Sequence, residues 1–281
     1  MEYTLNIRGR LFDLSRPCVM GILNVTPDSF YATSCVQNEE AIARRARQIV
    51  SEGGAIIDVG ACSTRPGSTP VSTEEEMERL RFALPIVRRE APDTPVSVDT
   101  FRPDVARMVV EELGADIIND VGDPQLTPHL SALTSQPSLL TSHPSPLTSH
   151  PSFPNVPYIL TSVMPTLRET LLFFAIRVQQ LRDNGHKDII LDPGFGFGKT
   201  VEQNYALLSQ MECLQVLSLP VLVGVSRKSM IYRPLDITPD EALNATTAIH
   251  AVALMKGAKI LRVHDVREAV HAITLLGMLH S

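Results

Sequence analysis

DIILDPGFGFGKT, residues 188–200, is a nearly continuous apolar run that ends on an aspartate and passes through a glycine-rich turn into an amphipathic stretch at 200–213. This is the pattern of a buried parallel strand feeding a helix. Gly194, Gly196 and Gly198 alternate with Phe195 and Phe197 and resemble a nucleotide loop at first sight. Neither common nucleotide motif fits. A P-loop needs glycine at 193, where Pro193 stands, and a dinucleotide fingerprint needs glycine at 199, where Lys199 stands. The segment reads instead as a tight turn whose two phenylalanines present an aromatic face to a ring-shaped ligand, with a wholly structural turn as the competing reading.

Seven more runs of the same kind lie on either side: 18–24 (CVMGILN), 55–61 (AIIDVGA), 95–100 (PVSVDT), 116–121 (DIINDV), 158–164 (YILTSVM), 220–226 (PVLVGVS) and 259–265 (KILRVHD). Between the runs, apolar residues recur at helical spacing over 38–52, 73–90, 102–113, 167–184, 200–213, 239–256 and 265–280. Strands alternating with helices predict a parallel sheet, and eight of them in 281 residues predict one (β/α)8 TIM barrel domain over 1–281. Only seven helices are visible. The eighth should follow the fourth strand, but there the chain reads LTSQPSL, LTSHPSP, LTSHPSF, three imperfect heptads over 133–153. Proline in each copy forbids a continuous helix, so a mobile low-complexity loop over residues 122–157 is expected. His143 and His150 repeat with the heptads but have no carboxylate or thiol beside them, which makes them poor metal ligands.

Composition narrows the function. Hydrophobic residues make up 44% of the chain, enough for a sizeable core. A net charge of −6 with scattered basic residues argues against nucleic acid as a partner. Cys18, Cys35, Cys62 and Cys213 are far apart and form no C-x-x-C pair, as in a reduced compartment. The charged N-terminus MEYTLNIRGRLFDL suits neither a signal peptide nor a membrane span, and a cytoplasmic enzyme is expected.

In such a barrel the chemistry sits where the strands end. Asn24 closes the first run, Thr64 and Arg65 follow the second, and Asp99, Asn119 and Asp192 close the third, fourth and sixth. Ser226, Arg227 and Lys228 end the seventh, and Arg262 and His264 the eighth. Each alone has an ordinary role in a turn, a cap or a solvated surface. Polar groups at nearly every rim position are more than a structural design needs. Two carboxylates and two asparagines match a flat heterocycle with an amino-pyrimidinone edge, such as a pterin. Arg262, His264 and the start of the last helix suit a diphosphate, and the Asn24 side-chain oxygen suits Mg2+.

These residues lie in segments that resemble the dihydropteroate synthases of folate biosynthesis: MGILNVTPDSF (20–30), GAIIDVGACSTRPGS (54–68), VSVDT (96–100), IIND (117–120), LDPGFGFGKT (191–200), LVGVSRKSMI (222–231) and ILRVHDV (260–266). They occur in the family's order across nearly the whole chain. The resemblance implies a transferase that binds a dihydropterin-methyl diphosphate with Mg2+, then 4-aminobenzoate. It assigns Asp99, Asn119, Asp192 and Lys228 to the pterin, Thr64, Arg262 and His264 to the diphosphate, and Asn24 to the metal. The aminobenzoate pocket would combine Thr26, Pro27, Phe30, Arg65, Pro66, Phe197, Ser226 and Lys228. Asp99, Asp192, Lys228, Arg262 and His264 would carry the catalytic electrostatics, and sulfonamides, as aminobenzoate mimics, would compete. A homodimer through the last helices (265–280) is also implied.

One region departs from the family pattern. Where the family usually carries a histidine–methionine pair at the end of the fifth strand, this chain has Thr161, Ser162 and Val163. Together with the Ser-Pro heptads, this predicts lower stability than in a regular member. It also leaves two rivals, a non-catalytic pterin-binding paralogue and a methyltetrahydrofolate-dependent methyltransferase. The full Asn24-to-His264 set argues against the first and the intact S-R-K-S run against the second.

Overall fold

The computed structural model describes residues 3–25, 35–62, 71–121 and 156–279. Two short strands, β1 (Thr4–Ile7) and β2 (Arg10–Asp13), form an antiparallel hairpin that the sequence reading did not anticipate. Its turn places Arg8 and Gly9 at positive φ. Eight parallel strands then close into a barrel: β3 (Cys18–Asn24), β4 (Ile56–Gly60), β5 (Val96–Asp99), β6 (Ile117–Asp120), β7 (Tyr158–Thr161), β8 (Ile189–Asp192), β9 (Val221–Val223) and β10 (Ala258–Val263). All eight coincide with the expected runs. Several are shorter, because the last residues of the β7 to β10 runs have already turned away from the sheet.

Helices α1 (Cys35–Ser51), α2 (Thr73–Glu90), α3 (Pro103–Glu111), α4 (Leu167–Asp183), α5 (Val201–Ser209), α6 (Ser229–Tyr232), α7 (Leu243–Met255) and α8 (Val266–Gly277) follow the strands. The stretch expected as one helix over 200–213 ends at Ser209 and continues as a 3-10 helix, Met211–Leu217. The one expected over 239–256 opens with a 3-10 turn, Asp240–Ala242. Capping sets the starts: Ser72 and Thr166 accept from the backbone N–H groups of Glu75 and Glu169, and Thr200 with Gln203 forms a reciprocal capping box. The Ser-Pro heptads lie outside the described residues, so the expected loop and its effect on stability do too.

Side chains alternate across each strand, so every barrel strand serves two environments. Outward residues such as Val19, Ile57, Val98, Ile118, Leu160, Leu191, Val223 and Leu261 pack with the helices in the larger apolar core. Inward residues Met20, Ile56, Ile117, Ile159, Ile190, Leu222 and Ile260 form a second cluster on the barrel axis, which Leu5, Ile7 and Leu14 of the hairpin segment plug from below. Asp116 pins that plug, accepting from Arg8, from Arg88 Nη2 at 2.7 Å and from the Val96 N–H at 2.7 Å.

Two residues further along, the same inward alternation brings a different layer, in which β3 alone keeps an apolar residue, Ile22. It holds Asp58 on β4, Asp99 on β5, Asn119 on β6, Thr161 on β7, Asp192 on β8, Gly224 just past β9 and Arg262 on β10. An apolar floor thus carries a polar tier at the C-terminal mouth.

Candidate active site

Arg262 organises the tier. Its Nε donates to Asp58 Oδ2 at 2.6 Å and its Nη2 to Asp99 Oδ2 at 2.7 Å. Burial works against the guanidinium charge, yet Asp58 and Asp99 outweigh it and hold the group above its ordinary range. Asp58 also accepts from Asn119 Nδ2 at 3.3 and 3.4 Å, so β4, β5, β6 and β10 are tied across the barrel axis. Asn119 Oδ1 and Thr161 Oγ1 are buried without a hydrogen-bond partner among the described residues. Orphaned acceptors and hydroxyls cost free energy in a closed interior, and their placement on one tier marks where a polar ligand edge belongs.

The opposite side is built on the glycine loop. Asp192 Oδ1 accepts from the Gly194 N–H at 2.7 Å, and burial raises its pKa despite the nearby Lys228. Lys228 Nζ donates to the Phe195 carbonyl at 2.6 Å and lies 4.4 Å from the centre of the Phe197 ring. Burial brings this lysine down to about 8, with Asp192 opposing the shift. Burial likewise pushes Asp99 up to about 7, against the pull of Arg262. Gly224 leaves room here, since a Cβ on it would stand 3.8 Å from the Arg262 side chain and 3.9 Å from Lys228 Nζ.

The structure brings together Asp99, Asn119, Asp192, Lys228 and Arg262 as the sequence anticipated. Ser226 bonds His264, with its Oγ 3.1 Å from Nδ1 and 3.2 Å from the backbone N–H. Asn24 is exposed at the end of β3, and its Oδ1 would stand 3.3 Å from a Cβ at Gly60. Phe197 is partly exposed above the site, but Phe195 is fully buried and contributes its carbonyl rather than an aromatic face. Arg227, at the same strand end, is turned to Asp265 and lies outside the set. Thr26, Pro27, Phe30, Thr64, Arg65 and Pro66 lie outside the described residues.

Two residues escaped the sequence reading. Asp58 sits inside an apolar run rather than at its end, although Ile56–Asp58 repeats the spacing of Ile190–Asp192 and so shares its tier. Lys199 stands in the sequence only where it breaks a nucleotide motif, with nothing there to point to its contacts.

Residues 20–264 match the family described as pterin binding enzyme. Barrel, tier and match together define the class: a pterin-binding barrel enzyme. The dihydropteroate synthase of Escherichia coli K12 is 37% identical over 275 residues, covering 96% of this chain and 94% of the relative. The solved dihydropteroate synthase of Xanthomonas albilineans with 4-aminobenzoic acid superimposes with a TM-score of 0.80 at 34% identity, covering 100% of this chain and 99% of the other. That of Yersinia pestis with a sulfonamide drug complex gives 0.81 at 34% identity, with 99% of each covered. The chain belongs to the dihydropteroate synthase family, transferases of folate biosynthesis.

Proposed function

We propose that the polar tier binds (7,8-dihydropterin-6-yl)methyl diphosphate and joins its methylene carbon to the nitrogen of 4-aminobenzoate, releasing diphosphate. The orphaned Asn119 Oδ1, on the same tier as Asp192 and above an apolar floor, carries this assignment. An amino-pyrimidinone edge offers N–H donors to both, and a carboxylate accepts two such bonds in parallel.

Asp99, Asn119, Asp192 and Lys228 hold the pterin ring. Arg262 commits Nε and Nη2 to Asp58 and Asp99, and the rest of its guanidinium is left for the diphosphate, a role assigned also to His264 and Thr64. The C–O bond breaks with its electron pair leaving on the diphosphate, and the cation left on the methylene delocalises into the ring. Asp99 and Asp192 stabilise that cation, while Arg262 and His264 stabilise the departing charge. The amine lone pair then forms the C–N bond, and the nitrogen releases a proton to solvent. No protein nucleophile is needed, because positioning the weakly basic amine over the methylene supplies the remaining acceleration. The aminobenzoate side is assigned to Phe197, Ser226 and Lys228, the family resemblance adds Thr26, Pro27, Phe30, Arg65 and Pro66 to that role, and sulfonamides compete there.

A Mg2+ site fits the donors present. Gly60 leaves a gap beside the Asn24 Oδ1 and the Asp99 carboxylate, both hard oxygens. Among the described residues no group of three or more His, Cys, Asp or Glu could hold a metal alone, so substrate oxygens would complete the coordination. The ion would neutralise diphosphate charge; Asn24 would hold it.

The chain acts as a cytoplasmic homodimer. Among the described residues no helix is long and apolar enough to cross a membrane. Val252, Met255, Leu275, Met278 and Leu279 are exposed on and just after the last two helices and offer the apolar face for a second copy.

Incubating the purified protein with both substrates and Mg2+ tests the assignment by mass detection of dihydropteroate. Product that requires both substrates supports it. Pterin binding without product would favour a non-catalytic paralogue, and methyl transfer from methyltetrahydrofolate would favour the methyltransferase.

A further inference from the structure

Lys199 lies just outside the polar tier, at the end of the glycine loop. Its Nζ donates to the Gly194 carbonyl at 2.9 Å, the Ser162 carbonyl at 3.1 Å and, more weakly, the Phe197 carbonyl at 3.5 Å. An ammonium has three N–H donors, and here all three meet backbone oxygens. Two belong to the loop itself and one to Ser162, the residue that follows β7, so the lysine closes the loop onto the end of its neighbouring strand. The approach is too close for any side chain at 194: Gly194 has φ +66°, and a Cβ there would stand 2.0 Å from the Ser162 oxygen.

Three site contacts on this side of the barrel pass through the clamped loop. The Gly194 N–H fixes the Asp192 carboxylate, the Phe195 carbonyl receives Lys228, and Phe197 sets its ring against the same ammonium. Lys199 itself donates to none of the tier's side chains. Its charged surroundings are Asp192, which favours its protonated form, and Lys228, which opposes it.

We infer that Lys199 is a positioning residue, whose tripod of backbone bonds holds the 193–198 turn so that Asp192, Lys228 and Phe197 meet the pterin and aminobenzoate in register. This rests on the pterin-transfer assignment above. Burial brings Lys199 down to about 7, against the pull of Asp192.

The test compares wild type, Lys199→Met and Lys199→Arg. Titration with pterin-6-carboxylate measures ring binding, and steady-state assays measure the aminobenzoate KM and kcat beside thermal melting. For Lys199→Met we expect pterin affinity and aminobenzoate KM each to worsen about tenfold, with a melting shift under about 3 °C, because a loosened loop misplaces groups without opening the core. Lys199→Arg, which keeps donors at this point, should recover most of the binding. Wild-type affinity and KM in Lys199→Met would overturn the inference. So would losses in both variants that track a fall in melting temperature, which would make Lys199 merely structural. If Lys199→Met does not fold, a folded Lys199→Arg with tenfold weaker pterin binding would also overturn it, whereas near-wild-type binding would uphold it. A wild-type protein that forms no dihydropteroate would instead sink the functional assignment, so the two failures are distinguishable.

Discussion

Replacing Asp58 by asparagine should damage both stability and catalysis, although Asp58 is assigned no contact with either substrate. The carboxylate is fully buried and accepts from Arg262 Nε at 2.6 Å and from Asn119 Nδ2. Asparagine keeps the shape but removes the charge, and arginine cannot shed its proton to adapt. Breaking a buried ion pair on one side costs about 3–5 kcal/mol; since Asp99 still holds Nη2, we expect the lower figure of about 3 kcal/mol. For a chain of this size each kcal/mol moves the midpoint about 2–4 °C, so Asp58→Asn should melt about 6–12 °C below wild type. The freed guanidinium and Asn119 amide lose register with the leaving group and the ring, which should lower kcat/KM about a hundredfold. Calorimetric melting and steady-state diphosphate release measure the two effects. A midpoint within about 1 °C of wild type and a kcat/KM within about twofold would refute the claim that Asp58 anchors the tier.

Four further outcomes follow from the same geometry. Because burial holds Lys228 near 8, well below the free-lysine value of 10.5, kcat/KM should fall as pH rises through about 8 in wild type, a limb that Lys228→Arg should lack. Between those two values the unfolded chain keeps a proton that the folded one has released, so wild type should gain stability with rising pH relative to Lys228→Met; a parallel pair of melting curves across that window would contradict this. Gly194→Ala forces a Cβ onto the Ser162 oxygen at positive φ, and should cost about 2–4 kcal/mol and at least a hundredfold in kcat/KM, as melting and turnover would report. Asp116→Ala, at the far end of the barrel, should cost about 3 kcal/mol in a denaturant titration by unpairing Arg8 and Arg88, while kcat well below the midpoint stays within about twofold.

The barrel was legible because each strand is buried on both faces and so appears as an unbroken apolar run such as AIIDVGA or PVLVGVS. The hairpin was not: TLNIRGRLFD mixes charges with apolar residues, and only its contacts beneath the barrel give Leu5 and Ile7 an interior to occupy. Strand ends exposed Asp99, Asn119 and Asp192 to inspection because a polar residue stopping an apolar run is conspicuous. Asp58 does not stop its run, and only period-two alternation measured from Ile56 places it in the tier. Lys199 was hidden for another reason. Its partners are carbonyl oxygens, which every residue has, so nothing in the sequence names Ser162 as its neighbour. Phe195 shows the converse error, since alternation with glycine implied a displayed ring where the fold needed a buried one.

Diphosphate release under saturating pterin substrate, with and without 4-aminobenzoate, tests the central claim most directly when wild type is run beside Lys228→Ala and Asp192→Asn. The tier as described predicts rapid release that rises with aminobenzoate in wild type and a loss of at least a hundredfold in both folded variants. Release by either variant at the wild-type rate would contradict it.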